Sequence, residues 1–249
     1  MSIVIDQRGI VKSFDMRYPE TYREMEDRLN NETITPGEPD ALDTLLTDLQ
    51  SGKITKDECK RQLRLLINKD FLTGLLNKEG IREALSRAIK VYQRDKHQQS
   101  LPKFIAVLFA DGDGVKKIND GQGHKTGDEA IRVLARAASN AASRPEDSTG
   151  REGGDEIVIV LPDTDLPGAL VVAEDLRQNV MQVSQNDPRF TGLSVSIGVA
   201  LYSKGMTADE LIKNADEAMY LAKRGGRNSI AIHPASLPQE TSVKVTAVV

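Results

Sequence analysis

Two carboxylates, Asp155 and Glu156, directly follow a pair of glycines in the second half of the chain. The glycines, Gly153 and Gly154, come after polar residues and before an apolar, β-branched run, a pattern that predicts a two-residue hairpin turn centred on them. The two acids would then stand at the head of a buried strand. A carboxylate is costly in such a place unless a cation or hydrogen bonds meet it, so the pattern indicates a metal site.

A second candidate acid, Asp111, follows the apolar segment 103–110, which we predict to be a buried strand that ends in the polar cluster 111–114. From 103 to 201, hydrophobic periodicity predicts the order β-α-β-β-α-β, that of a ferredoxin-like α+β unit, followed by an added helix and strand. Right-handed crossovers set the first and third strands of this unit side by side and antiparallel. Asp111 should therefore meet Asp155 at one sheet edge, as a hard divalent cation requires.

The chain divides into three predicted parts. Residues 1–69 differ in character from the rest: a small β-hairpin that begins at Ile3 should precede a helical hairpin over residues 40–68, marked by leucines at helical spacing and a capping box. This small, mainly helical region is either a packing appendage or a dimerisation and regulatory region. Residues 70–233 should form the main domain, and residues 234–249 a tail that is disordered or adds an edge strand.

The bulk composition excludes several classes of protein. The 249 residues carry a formal net charge of −4, so no global basic field attracts nucleic acid or an anionic membrane, and a phosphate-bearing ligand must be held by local groups. The single cysteine excludes an internal disulfide framework and is typical of a reducing cytoplasm. The longest apolar run is far shorter than the about 20 residues of a membrane helix, and the N-terminus lacks a signal-peptide pattern. We expect a soluble, cytoplasmic protein without a membrane span.

Several motifs, in order, resemble those of the GGDEF family of diguanylate cyclases. They are the opening motif DFLTGLLN at 70–77, a nucleotide-binding segment at 111–128, the signature hairpin REGGDEI at 151–157, and C-terminal blocks at 196–199 and 215–228. The resemblance implies the sheet shared by nucleotidyl cyclases and polymerase palm domains. It also implies the condensation of two GTP molecules to cyclic di-GMP, with release of two pyrophosphates.

The resemblance further implies a two-metal active site. Asp111, Asp155 and the Gly112 carbonyl would hold two Mg²⁺ or Mn²⁺ ions per site, which activate the ribose 3′-hydroxyl for attack on the α-phosphate and neutralise the pyrophosphate. The implied catalytic residues are Asp155, Glu156, Asp111 and Lys116. Glu156 would position a metal or the nucleophile; alternatively, it is a partly solvated acid at a strand end.

The remaining implied contacts are to GTP. Asn119 and Asp128 match the positions that read guanine, and adenine lacks the donors that an aspartate would accept from, so GTP should be preferred over ATP. Phosphate-binding groups are implied at Gly114, Val115, Lys116, Lys223 and Arg227. Alternatively, Asp128 is only an acid near a helix N-terminus, and Lys223 and Arg227 only satisfy the C-terminal end of a helix.

Arg144 and Asp147 form an Arg-x-x-Asp motif just before the signature hairpin, at the offset of the inhibitory product site of many family members. Cyclic di-GMP would then act as an allosteric inhibitor; a solvated salt bridge in a loop is the alternative.

One GTP pocket presents only one 3′-hydroxyl and one α-phosphate, so we expect catalysis in a two-fold homodimer. The rival function is a non-catalytic receptor for cyclic di-GMP or GTP. A polymerase-like enzyme or a phosphodiesterase is disfavoured because no basic surface for a nucleic acid partner is evident.

Three residues depart from the family pattern. Val115 and Ile157 stand where phenylalanine is usual, and Glu152 replaces a common aromatic and adds negative charge beside the metal edge. We expect these departures to affect the turnover rate rather than the type of reaction. We also predict that Asp70 pairs with Arg151 and so ties the opening motif to the signature hairpin.

Overall fold

The computed structural model describes residues 3–5, 10–14, 53, 55, 68–94 and 104–237. The predicted helix pair at 40–68 lies almost wholly outside the described residues, as does the tail beyond residue 237. Within the described ranges the chain forms one seven-stranded sheet. No helix in these ranges combines the length and the apolar character needed to cross a membrane.

The sheet is mixed and carries helices on both faces. Its strands are β1 Ile3–Ile5, β2 Ile10–Phe14, β3 Ile105–Asp113, β4 Ser148–Gly153, β5 Glu156–Pro162, β6 Ser194–Leu201 and β7 Ile230–Ile232. The helices are α1 Lys78–Arg94, α2 Val115–Gln122, α3 His124–Ala141, α4 Leu166–Asn186 and α5 Ala208–Arg224. The spatial order is β1-β2-β7-β6-β3-β5-β4, and only β6 and β7 run parallel. The ferredoxin-like order is confirmed, with α5 and β7 as the added helix and strand.

The central strand β3 is buried on both faces, which explains its nearly continuous apolar sequence. Alternate side chains, such as Leu108, join a core that contains Leu134 of α3. The intervening ones, such as Phe109, join a second core with Leu85 of α1 and Met219 of α5. The helices on both sides therefore fix β3, and with it the acids at its C-terminal end.

Two boundaries around the first acid differ from the prediction. Strand β3 continues through Asp113, because β6 pairs with it as far as Ser194, so Asp111 lies in the strand rather than in a loop after it. A separate helix, α2, follows at once. The change of direction between strand and helix occurs at Gly114, whose φ is +91°. A Cβ at this position would lie 2.6 Å from the Gly192 carbonyl oxygen.

The predicted N-terminal β-hairpin is confirmed, but its place in the fold was not foreseen. Strand β2 also pairs with β7, through Ile10 opposite Ala231 and Val11 opposite Ile230. The hairpin therefore extends the main sheet. At the other end, residues 234–236 form a short 3₁₀ turn, and the Leu201 N–H donates to its Ser236 hydroxyl at 2.8 Å.

Candidate active site

The turn of the β4–β5 hairpin lies one residue later than predicted. Gly153 pairs with Glu156 across the hairpin, so the two-residue loop consists of Gly154 and Asp155 rather than of the two glycines. Gly154 supplies the positive φ, +53°. A bulge at Glu152 precedes the turn and shifts the register. Asp155 is therefore held in the loop itself, just outside the strand.

Backbone pairing brings the signature acids to the end of β3. Asp111 and Glu156 are cross-strand neighbours on β3 and β5. The Gly112 N–H donates to the Asp155 carbonyl at 3.2 Å, and the Asp155 Cβ lies only 3.3 Å from the position a Cβ on Gly112 would occupy. Four of the residues predicted from the sequence thus meet at one sheet edge, which we call the acid edge: Asp111, Gly112, Asp155 and Glu156.

Among the described residues, Lys223 pairs with the acid edge, and its single positive charge does not balance the carboxylates of Asp111, Asp155 and Glu156. Asp111 is only 8% exposed; its Oδ1 forms an ion pair with Lys223 Nζ but, among the described residues, accepts no hydrogen bond of acceptable geometry. Burial raises the pKa of Asp111; Lys223 opposes this effect, and the charge of Asp155 reinforces it. Burial also raises the pKa of Glu156, with Asp111 and Asp216 adding to the effect. A cation at this edge would relieve both acids.

The donor atoms at the acid edge are those that a hard divalent cation prefers. Among the described residues, no three His, Cys, Asp or Glu side chains form a complete metal centre by themselves. However, Mg²⁺ commonly takes one or two carboxylates and completes its shell with water and substrate phosphate oxygens. The carboxylates of Asp111 and Asp155 with the Gly112 carbonyl make up such a partial set. The residues present therefore fit a metal that is shared with a phosphate ligand.

Groups suited to anions adjoin the acid edge. Helix α2 begins with Val115, immediately after β3, so its free backbone amides face the same end of the sheet. Lys116 is exposed in the first turn of this helix. On the other side, Lys223 reaches Asp111 from α5, and the Arg227 Nε lies 3.7 Å from the Asp113 carboxylate. Cationic groups thus lie next to the carboxylates at this end of β3.

The two predicted guanine-reading residues lie where α2 meets α3. The Asn119 side chain packs on Gly127 so closely that a Cβ there would fall 1.8 Å from Asn119 Oδ1. Asp128, the next residue along α3, is exposed. The structure thus places Asn119, in the second turn of α2, against the residue that precedes Asp128 in α3.

Comparison with known proteins identifies the domain that carries this arrangement. The family described as "Diguanylate cyclase, GGDEF domain" matches residues 67–229. The chain belongs to the GGDEF family. The matched span contains every element from α1 to α5.

This GGDEF chain is similar to several proteins of named function or known structure. The diguanylate cyclase DgcM of Escherichia coli (strain K12) is 38% identical over 173 residues, which cover 69% of this chain and 40% of DgcM. The response regulator PleD of Caulobacter vibrioides is 34% identical over 211 residues, 81% of this chain and 44% of PleD. A structure of the coiled coil and GGDEF domain of DgcB from Caulobacter crescentus, in complex with c-di-GMP, matches with a TM-score of 0.62 at 28% identity, covering 77% of this chain and 99% of that one. The chain thus spans less than half the length of DgcM and of PleD.

The Arg-x-x-Asp motif of the GGDEF domain lies away from the acid edge. The Arg144 guanidinium donates to the Asp147 carboxylate at 2.6 Å, to the Pro162 carbonyl at 3.1 Å and to the Thr164 hydroxyl at 2.6 Å. Pro162 ends β5, whereas Glu156 begins it, and seven extended residues span about 20 Å. The motif is therefore a separate, preformed loop at the opposite end of the strand.

The predicted pair between the opening motif and the signature hairpin is confirmed. Arg151 Nη1 lies 3.0 and 3.2 Å from the two carboxylate oxygens of Asp70, and its Nε donates to the Gly154 carbonyl at 2.8 Å. Burial alone would raise the pKa of Asp70, but hydrogen bonds from Thr73 and the charge of Arg151 hold it below its usual value. Arg151, the residue before the bulge, thus ties the signature hairpin to Asp70 at the start of the domain.

Sequence reasoning assigned no role to Asp113, a buried acid at the end of β3. Its carboxylate accepts hydrogen bonds from three groups, the hydroxyls of Ser194 at 3.1 Å and Ser196 at 2.9 Å and the backbone N–H of Asn228 at 3.1 Å. Arg227 and Asn228 both have left-handed backbones, with φ of +64° and +43°, which side chains disfavour. Asp113 therefore stabilises the turn that carries Arg227. Its spacing of two residues from Asp111, on the same strand face, was the signal that could have revealed it.

The negative charge of Glu152 is compensated, which the sequence did not reveal. Glu152 is bound by both terminal nitrogens of Arg82, at 2.6 and 2.8 Å, and by Lys78 at 2.8 Å. Burial opposes the ionisation of Glu152, yet the hydrogen bonds from Arg82 and Lys78 hold its pKa below the usual value. These partners are about seventy residues away in the sequence, so spacing gave no signal for them.

Proposed function

We propose that this protein is a diguanylate cyclase, which condenses two GTP molecules into cyclic di-GMP and two pyrophosphates. The observation that supports this most is the meeting of Asp111, Gly112 and Asp155 at one sheet edge in a chain of the GGDEF family. DgcM carries the same activity in its name, and the DgcB domain was solved in complex with the proposed product. GTP as the substrate makes the cytoplasm the proposed compartment.

In the proposed mechanism, the acid edge organises two phosphoryl-transfer steps. Asp111, Asp155 and the Gly112 carbonyl would hold two Mg²⁺ or Mn²⁺ ions, which would supply activation of the ribose 3′-hydroxyl and charge neutralisation at the leaving pyrophosphate. Glu156 would position a metal or the nucleophile. In each step the 3′-oxygen bonds to the α-phosphorus of the other nucleotide, and the bond to pyrophosphate breaks.

Separate groups bind the rest of the nucleotide. The backbone amides of Gly114 and Val115 and the side chains of Lys116, Lys223 and Arg227 bind the triphosphate, consistent with the charges that flank the acid edge. Asn119 and Asp128 read guanine. Because Asp128 accepts from donors that adenine lacks, Asp128→Asn should reduce the preference for GTP over ATP, and unchanged selectivity would contradict this role.

Catalysis requires two protomers in this proposal. One acid edge binds one GTP, so ring closure needs a second copy facing it across a two-fold axis. The specific activity should therefore rise with protein concentration until the dimer is saturated. A specific activity that stays constant while native mass spectrometry shows only monomer would contradict the dimer.

Product inhibition is proposed at Arg144 and Asp147. The preformed loop at the far end of β5 supports a site that is separate from the acid edge. Coupling between two binding sites is typically about 1–3 kcal/mol, so bound cyclic di-GMP should weaken GTP binding by about 5- to 150-fold and lower the rate at subsaturating GTP. Arg144→Ala should remove the inhibition and leave the uninhibited rate unchanged; wild type that neither binds nor responds to the product would contradict the site.

The deciding experiment is incubation of the purified protein with GTP and Mg²⁺, with the products resolved by chromatography. We expect cyclic di-GMP and pyrophosphate in a ratio of one to two, and no product when a chelator removes the metal. Asp155→Asn should abolish turnover, whereas Glu79→Gln, the same change at an exposed acid of α1, should not. If wild type binds cyclic di-GMP or GTP but forms no product, the receptor function replaces the cyclase.

A further inference from the structure

Four charged side chains surround the bulge that precedes the signature turn. We call them the charge cluster: Lys78 and Arg82 of α1, Glu152 of β4 and Asp209 of α5. The Glu152 side chain is only 10% exposed, so the contacts at its carboxylate are largely shielded from water. The cluster thus joins three elements that are far apart in the sequence.

Arg82 is the centre of the charge cluster. Its two terminal nitrogens both donate hydrogen bonds to the Glu152 carboxylate, and one of them also donates to the Lys78 carbonyl at 3.2 Å. Its Nε donates to Asp209 at 3.0 Å. A bidentate guanidinium–carboxylate pair fixes orientation as well as distance, which a lysine ammonium does not do. The position of the bulge is therefore set by the geometry of Arg82, and not only by its charge.

The two glycines at the turn leave open space where side chains would stand. A side chain at Gly153 or Gly154 would meet nothing within 4 Å among the described residues. The direction of Asp155 must therefore be set by the residues before the turn, by the pairing of Glu156 with Asp111 and by the backbone bond to Gly112. Those preceding residues, Arg151 and Glu152, are each held by an ion pair to the opening of the domain.

We propose that Glu152 and Arg82 are positioning residues that hold the bulged turn so that Asp155 stays in register with Asp111. This inference rests on the proposed cyclase function, because it gives Glu152, which departs from the family pattern, the role of aligning the acid edge. The residues proposed to bind guanine and phosphate lie on α2 and α3 and around the end of α5. Loss of the charge cluster should therefore impair the chemical step rather than the binding of GTP.

Two variants test this proposal through steady-state kinetics with GTP and Mg²⁺. Glu152→Gln removes the charge of the cluster's acid, and Arg82→Lys keeps the positive charge but loses the bidentate fork. Because small displacements of catalytic groups cost up to about 100-fold, we expect kcat to fall about tenfold or more in both, with KM for GTP within about twofold of wild type. Arg87→Lys is the matched control: it alters an exposed pair with Glu83 on the same helix and should change neither constant.

A second readout does not depend on activity. In protein free of metal and nucleotide, hydrogen exchange of the peptide 149–157 should be faster in both variants, while exchange in β6 stays at the wild-type rate. If wild type makes no cyclic di-GMP, the cyclase proposal fails, yet the exchange result still tests the positioning role. Wild-type kcat and wild-type hairpin exchange in both variants would overturn the inference. So would a uniform rise in exchange with kcat and KM altered together, which indicates general damage to the fold.

Discussion

Helix α5 packs directly on the backbone of β6 at Gly198, and this contact leads to a quantitative prediction for Gly198→Ala. Gly198 lies in β6, between Phe109 of β3 and Ala231 of β7. A Cβ there would fall 2.0 Å from the Ala215 carbonyl oxygen and 2.1 Å from the Met219 amide nitrogen. Both obstacles are backbone atoms of α5, so no side-chain rotation relieves the clash.

The size of the effect follows from these distances. Ordinary contact begins at 3.4 Å, so α5 must retreat by about 1.4 Å from a close-packed core. Over-packing usually costs about 1–3 kcal/mol. Because the backbones of both β6 and α5 would have to move, we expect the free energy of unfolding to fall by about 3 kcal/mol. The corresponding fall in Tm is about 6–12 °C for a chain of this size. Because Lys223 moves with α5 away from Asp111, kcat/KM should fall by about 100-fold.

Urea unfolding followed by circular dichroism measures the loss of stability. Gly121→Ala is the matched control, because Gly121 lies in α2 and a Cβ there meets nothing within 4 Å among the described residues. In this control the free energy of unfolding should stay within about 1 kcal/mol of wild type or rise slightly, since alanine favours a helix. A Gly198→Ala variant that also stays within about 1 kcal/mol of wild type would refute the reasoning.

Three further predictions concern other parts of the domain. In Gly127→Ala the new methyl displaces the Asn119 side chain, which can rotate away, so KM for GTP should rise about tenfold in steady-state kinetics while the free energy of unfolding changes little. Arg151→Gln leaves the partly buried Asp70 carboxylate without its cation, and a double-mutant cycle with Asp70→Asn should give a coupling energy of about 1–2 kcal/mol. Burial, reinforced by the adjacent charge of Glu174, raises the pKa of Asp175 from 3.8 to about 6. A raised carboxyl pKa means that stability is lost as the pH rises from about 4 through about 6. Asp175→Asn should therefore increase the free energy of unfolding by about 1 kcal/mol at pH 7.5 and leave it unchanged at pH 4, as measured by urea unfolding.

Each of these results has an outcome that would contradict it. An unchanged KM in Gly127→Ala would mean that Asn119 does not contact GTP. A coupling energy of zero would mean that the pair between Asp70 and Arg151 contributes nothing to stability. An equal gain for Asp175→Asn at both pH values would show that its effect is not due to ionisation.

Local patterns in the sequence were sufficient to predict the strands of the sheet that carries the acid edge. The apolar run of β3 and the periodicity of α5 predicted those elements because burial imposes a regular pattern on each of them. The crossover rule then predicted that β3 and β5 are neighbours, since handedness is general to such units. Boundaries were less accurate: β3 continues into its polar end because β6 pairs with it there, which the residues of β3 do not encode.

The sequence alone therefore determined the order of the strands along the sheet's main unit, the family and the neighbourhood of Asp111 and Asp155, but not the separate helix α2. The partners of individual charges were decided only by the tertiary structure. Glu152 looked like an unpaired acid until α1 brought Arg82 to it across seventy residues, and Asp113 gained its role only when the turn after α5 reached it across 115 residues. The physical reason is that burial and pairing of a charge depend on what the fold places beside it, and such long-range contacts leave no periodic trace in the chain.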